Sequence, residues 1–186
     1  RGLGDVYKRQ IRSLALPARS TKQGAVQLDG RTGHIAIPSL QPDWTSPFTV
    51  EAWVKPGLLT NSREFLCDAQ SGGMVLGFYD GVCSFLLSDG SRYVTTRALR
   101  PAVRREQHVA GVFDGQRIRL FINGEPQGSG VLFTGRVKLS GMPLLIGANP
   151  ETGNRVIKAF SGSVDEVRIS NTARYASRFT PDREFK

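Results

Sequence analysis

Hydrolysis of a glycosidic bond needs two carboxylates held about 5–9 Å apart, which a strand can supply from positions i and i+2 on one face. This chain has no such pair. Asp165 and Glu166 are adjacent, so they point to opposite faces of a strand, and Glu51 stands alone among the alternating residues of FTVEAWVKP. His34 and His108 are the two histidines. Neither sits in a serine–histidine–aspartate or metal-ligand spacing. No catalytic residue is assigned, and the chain reads as a non-enzyme.

The residue types that remain suit binding. TTRALRPAVRRE places Arg97, Arg100, Arg104 and Arg105 close together, and Arg117 and Arg119 share a face of the next hairpin. Arginine forks match sulfate, carboxylate and phosphate, so an anionic polysaccharide could dock there. The formal charge of +9 would attract nucleic acid as well, but no nucleic-acid motif or interleaved aromatic platform accompanies it. The competing reading is a solvated basic face. Neutral sugars stack on aromatic faces. Trp44, Tyr79, Tyr93 and Tyr175 lie in or near loops and could serve, whereas Trp53 sits on a strand and reads as packing. Cys67 and Cys83 could pair in an oxidising compartment or remain small buried hydrophobes.

Short strands must position these groups. In FTVEAWVKP, Phe48, Val50, Ala52 and Val54 alternate with Thr49, Glu51, Trp53 and Lys55, and prolines bracket the run, as expected at strand ends. AVQLDGRTGHIAIP gives two short strands around Asp29-Gly30, a pair suited to a type I′ turn. REFLCDA, MVLGFY, VCSFLLS and RYVTTRAL form a meander, QHVAGVF and RIRLFI a hairpin, and MPLLIG and AFSGSVDEVRIS the closing strands. His108, Ala110 and Val112 oppose Val109 and Phe113 in phase, so this strand is expected to be covered on both sides. SLQPDWTSP reads as a connection with one helical turn, and NTARYASRF as a short helix. Asp-Gly or Asn-Gly recurs at 29–30, 80–81, 89–90, 114–115 and 123–124. Turns that frequent make antiparallel strands of ~5–6 residues. About a dozen such strands must stack as two sheets ~10 Å apart to bury their apolar faces. The expected fold class is all-β: a two-sheet antiparallel β-sandwich of jelly-roll type. No repeat marks a propeller, and no run of ~18 apolar residues marks a membrane span.

SPFTVEAWVKP, HVAGVFDGQRIRLFINGEPQG, LLIGAN and FSGSVDEVRISNTARY, in that order, resemble the laminin-G-like, concanavalin-A-like jelly-roll family from about Gly24 to Phe179. The family often has Trp just before the HVAG segment; Glu106 or Gln107 stands there instead. The resemblance implies a structural calcium ion at the sandwich edge of many relatives. Calcium takes about six to eight hard oxygens, and Asp29 and Asp165 are the candidate ligands. The resemblance speaks for fold more than for ligand. The leading function is a non-catalytic binding or adhesion module for carbohydrate within a larger extracellular or cell-envelope protein. The alternatives are a structural or protein-interaction module beside catalytic domains, then a polysaccharide-active enzyme. RGLGDVYKRQ lacks an initiating Met, and DVYKRQ matches the translation of a sequencing-transposon end. Residues 1–10 are therefore set aside as an artefact, 11–22 as a linker, 23–181 as the domain and 182–186 as a tail.

Overall fold

The structure is a computed structural model that describes residues 24–37, 44–68, 73–102, 104–138, 141–152 and 155–185, with the backbone of 13–15 and 19–20. One sheet runs in the order β1 (Ser13–Ala15), β4 (His34–Ile37), β14 (Leu144–Ile146), β6 (Arg63–Asp68), β7 (Gly73–Tyr79), β8 (Val82–Ser88), β9 (Tyr93–Arg97). The other runs β12 (Glu125–Pro126), β11 (Arg117–Ile122), β10 (Gln107–Phe113), β5 (Phe48–Pro56), β17 (Ser161–Ser170), β3 (Val26–Asp29), β2 (Arg19–Ser20), with β13 (Val131–Leu132) beside β11. A small hairpin, β15 (Asn149–Glu151) and β16 (Arg155–Ile157), stands apart. The strand pairs are antiparallel throughout, as an all-β sandwich requires.

The alternation in β5 sorts its residues between two environments. Phe48, Val50, Ala52 and Val54 enter the main core, with Val109 and Phe113 of β10 and Ile118 and Leu120 of β11 beside them. Leu76, Phe78, Cys83, Phe85 and Leu87 face them from the first sheet. Between the layers Gly111 lies against Phe85: a Cβ there would sit 2.4 Å from the ring. Cys67 and Cys83 lie on β6 and β8 with β7 between them. Two strand spacings of ~4.8 Å exceed the reach of a disulfide, and both thiols are free. Burial pushes the Cys83 thiol up to about 12 and the Cys67 thiol up as well.

Two of the five expected turns are tight type I′ reversals, with positive φ at both Asp80-Gly81 and Asn123-Gly124. The others are wider. Asp29 does not close a hairpin, because β3 and β4 belong to different sheets. Its Oδ1 instead accepts the N–H groups of Arg31, Thr32 and Gly33 at 2.8–3.1 Å. Asp89 and Asp114 hold their loops the same way.

The chain departs from expectation at both ends. Residues 11–22 contain two edge strands, not only a linker. NTARYASRF is not a helix. It is part of an extended strap, 171–185, laid across the outer face of the second sheet. Tyr175 and Phe179 stack on each other at 3.5 Å and, with Ala173, cover Ala110, Val112 and Phe121. All seven residues of β10 are therefore buried. Phe179 N donates to Gly124 O at 3.1 Å, and a Cβ on Gly124 would collide with Phe179. The supposed tail is part of this cover: Trp53 Nε1 donates to Asp182 O at 2.9 Å, and Phe185 N donates to Glu166 Oε2 at 2.7 Å. The helical look of Tyr175 and Phe179 reflects two rings meeting over a sheet. The single turn expected in SLQPDWTSP survives as a non-helical turn at 44–45, while residues 39–43 lie outside the described residues.

Glu51 fastens the strap. It is fully buried, yet Arg168 Nε donates to Oε1 at 2.8 Å and Tyr175 Oη donates to Oε2 at 2.9 Å. His108 Nε2 lies 3.0 Å from Oε2, and Arg168 also donates to Tyr175 Oη at 3.1 Å. Thr49 adds a second tie, donating to Thr172 O at 2.8 Å and accepting from Arg174 N at 3.0 Å. Burial alone would raise the Glu51 carboxyl. The donors from His108, Arg168 and Tyr175 outweigh it and hold the carboxyl below its usual range. The expected family tryptophan is replaced by a different arrangement. Gln107 takes an inward position opposite Val54, and Glu106 pairs with Arg183 at 3.0 Å, whose guanidinium lies 4.9 Å over Trp53.

Two outcomes follow. Gly111→Ala lowers stability by about 1–3 kcal/mol, read as a fall in the urea midpoint at unchanged m-value; an unchanged midpoint would show that Phe85 moves freely. Glu51→Gln leaves Arg168 buried without its counter-ion, a loss of about 3–5 kcal/mol. Because the Glu51 carboxyl is depressed in the folded state, its stabilisation is present above the unfolded pKa of about 4.3 and lost as pH falls through the lower folded value. The variant should therefore lose stability at neutral pH and show less further loss on acidification below about pH 4. Urea midpoints of both proteins across that range check this; parallel pH profiles would contradict it.

Candidate functional site

The groups best suited to acid–base chemistry are sealed. Glu51 and His108 have no exposed side-chain surface. The rings of Trp53, Phe179 and Phe185 surround the imidazole edge-on at 5.5–5.9 Å. Substrate cannot reach this pair, so it acts as a clasp. The sequence showed Glu51 as isolated because its partners stand 57 and 117 residues away.

Asp29 and Asp165 do not fit a shared calcium ion. Asp29 pairs in register with Ser161, four residues along β17 from Asp165, a separation of ~13 Å. Asp29 Oδ1 is taken by three N–H groups, and Asp165 accepts from Glu166 N and Arg183. Among the described residues no three His, Cys, Asp or Glu side chains converge as a metal site.

An open cleft of about 470 Å³ lies at the rim between the sheets. Three segments line it: Gly30 and Arg31 after β3, Asn61 to Arg63 at the start of β6, and Lys158 with Ala159 before β17. Buried Glu64 ties these segments together. Its Oε1 accepts Thr60 N and Asn61 N at 3.1 and 3.2 Å, and its Oε2 accepts Ser161 N at 2.9 Å. Further backbone ties close the frame. Gly30 N donates to Phe160 O at 3.1 Å and Phe65 N to Lys158 O at 2.9 Å. Lys158 adopts a left-handed conformation, φ 54°, uncommon for a residue with a side chain. Its ammonium lies 5.1 Å over the Phe65 ring, and the Arg63 guanidinium lies 5.6 Å over Tyr79. The two rings are 5.6 Å apart and rest with Val75 and Leu86 on the outer face of the first sheet. Burial pushes the Tyr79 phenol up to about 12.

The candidate ligand residues have mixed fates. Tyr79 does not line the cleft but lies under Arg63, which does. Arg97 donates to Tyr79 O at 2.9 Å. Tyr93 is 62% exposed on the edge strand β9. Arg100, Arg104 and Arg105 are exposed on the connection between β9 and β10, with no described aromatic partner. Trp44 is a correction: it is buried against Phe48, ring centroids 4.7 Å apart, and cannot contact a ligand. Arg117 and Arg119 are tied down locally, Arg119 to Asp114 and Arg117 to Gly130 O. Sequence reasoning missed Arg31, Arg63 and Lys158, which converge only through folding. The one local signal was NSRE, where Glu64 caps the N–H groups of its own preceding turn.

A family model described as the concanavalin A-like lectin/glucanases superfamily matches residues 29–178. No curated protein matches the chain in sequence. Among solved structures, the binding domain of Paraclostridial Mosquitocidal Protein 1 is similar at TM-score 0.68 and 13% identity, covering 89% of this chain and 44% of that one. The botulinum neurotoxin serotype D binding domain is similar at TM-score 0.68 and 14% identity, covering 88% and 44%. The heptameric SAP-like pentraxin of Limulus polyphemus has TM-score 0.64 and 17% identity, covering 82% and 77%. The chain thus spans less than half the length of the two toxin binding domains. The family match spans most of the two-sheet sandwich, and this chain belongs to the concanavalin A-like lectin/glucanase superfamily.

Proposed function

We propose that the chain is a non-catalytic recognition module and that its ligand is a glycan bound at the rim cleft. The observation that carries this reading is the contrast between two sites. The close carboxylate–histidine pair is sealed under the strap, while the open cleft presents guanidinium, ammonium, amide and hydroxyl groups. Sugars are held by hydrogen bonds from such polar groups, and the described lining of the cleft holds no paired carboxylate. The neighbours support a binding role: cell entry of botulinum neurotoxin type C depends on interaction with two ganglioside molecules. An extracellular or cell-envelope setting, within a longer protein, goes with this reading.

A second reading, docking to protein, is favoured by exposed apolar side chains at Leu99 and Leu132, 75% and 53% exposed. A botulinum neurotoxin DC binding domain is known in complex with rat synaptotagmin II.

Ser62→Trp separates the two. Ser62 is exposed and lines the cleft, so the indole fills the site without disturbing the core. On a glycan array the wild-type chain should bind at least one glycan class, and Ser62→Trp should weaken that binding at least about tenfold, the loss of one or two charge-assisted hydrogen bonds. Chelator should leave binding unchanged, since the cleft contacts use no carboxylate. Binding to no glycan, or equal binding by the variant, would contradict the proposal.

A further inference from the structure

The cleft gathers three cations. Arg31, Arg63 and Lys158 make no ion pair with any carboxylate among the described residues; Arg97, Arg100, Arg104, Arg105 and Arg155 make none either, but those do not line the cleft. Two carboxylates are built into the same loops, and both are turned onto backbone. Glu64 accepts the N–H groups of Thr60, Asn61 and Ser161, and Asp29 Oδ1 those of Arg31, Thr32 and Gly33. Asp80 lies next to the cleft, its N–H donating to Ser62 O at 2.9 Å, and it forms no described ion pair with Arg63. Folding therefore gathers three positive charges from positions far apart in the chain and leaves them without a counter-ion. Like charges held together repel, and a bound anion relieves that repulsion.

The charges are also oriented before any ligand arrives. The Phe65 ring supports the Lys158 ammonium and the Tyr79 ring the Arg63 guanidinium. Cation–π contacts restrict side chains that would otherwise sweep through solvent. The backbone at Lys158 is held in its left-handed conformation by the hydrogen bond from Phe65 N. Strain of this kind persists only where the surroundings impose it, and it clusters at functional positions. The fork of an arginine fits a planar or tetrahedral oxyanion through two oxygens, and lysine adds a point charge. Asn61 and Ser62 supply neutral donors alongside.

We propose that Arg31, Arg63 and Lys158 form an oxyanion subsite that takes a sulfate or carboxylate substituent of an acidic glycan. This rests on the reading of the cleft as the glycan site and narrows it to acidic sugars. The neighbouring hydroxyls of the sugar meet Asn61 and Ser62. No covalent step is involved.

Isothermal titration of the full chain at low salt with three probes tests this: a heparin-derived octasaccharide, an oligogalacturonate octamer and neutral maltooctaose. One or both acidic probes bind and the neutral probe does not; which acidic probe binds tells sulfate from carboxylate. Arg31→Gln, Arg63→Gln and Lys158→Gln each weaken that binding by about tenfold, the loss of one charge-assisted contact. The double variant Arg104→Gln/Arg105→Gln changes it by less than about threefold, because those exposed charges act only through screened solvent. Far-ultraviolet spectra of the variants confirm that each is folded. Unchanged affinity in all three cleft variants, or loss in the Arg104/Arg105 variant alone, overturns the subsite. Binding of maltooctaose alone, abolished by Ser62→Trp, keeps the glycan reading and discards the subsite. Inorganic sulfate, followed by amide shifts of Arg31, Arg63 and Lys158, reports the subsite by itself. Saturable shifts there with no glycan binding would keep the subsite and discard the glycan; absence of such shifts, together with no acidic-glycan binding, discards the subsite.

Discussion

A carboxylate with no exposure to water must find donors or give up its charge. Glu51 finds them: two arrive from neighbouring strands, His108 and Arg168, and one from the strap, Tyr175. That single group therefore joins the central strands of the second sheet to a segment with no regular secondary structure. Its consequence is spatial. The outer face of β5, β10 and β11 becomes a second core under Tyr175 and Phe179, and is removed from recognition. A buried ion pair is weak evidence of stability in general. Here its role is to specify where the strap lies, since no other strap residue offers Glu51 a hydroxyl at that position.

Closing one face leaves the rim to function. A sheet with one face packed on the core and the other covered holds its connecting loops rigidly, and ligands meet such loops without large reorganisation. The cleft follows this pattern. Glu64 on β6 fixes the turn before it and the first residue of β17, so the loops that carry Arg31, Arg63 and Lys158 are referenced to both sheets at once. Glu51 and Glu64 are thus used alike. Each is a buried acid whose hydrogen bonds set geometry, and neither is placed to transfer a proton to a ligand.

The layering was legible in the sequence because side-chain alternation has a period of two and a slip would bury polar groups. FTVEAWVKP separated its inner from its outer residues, and QHVAGVF announced cover on both sides. Asp80-Gly81 and Asn123-Gly124 were legible as hairpins because both residues of each tolerate positive φ. Asp29-Gly30 misled, since the same dipeptide serves an Asx-type loop when the flanking strands go to different sheets. The strap misled for a related reason: Tyr175 and Phe179 have the spacing of a helix face but meet by stacking across a sheet. The cleft was illegible. Arg31, Arg63 and Lys158 come together through sheet order and a parallel bridge between Phe65 and Ala159, neither of which a local pattern encodes. The dense arginine run at 97–105 drew the eye by sequence proximity, yet folding spreads it along an exposed connection.

The central claim is that recognition happens at the rim and not on the strap-covered face. Amide chemical-shift mapping of the whole chain during titration with a heparin-derived octasaccharide tests it most directly. Shifts concentrated at residues 30–33, 61–63 and 158–161, with the amides of 173–179 unmoved, are the expected result. Shifts concentrated on the strap or on 97–105, with the cleft silent, would contradict it.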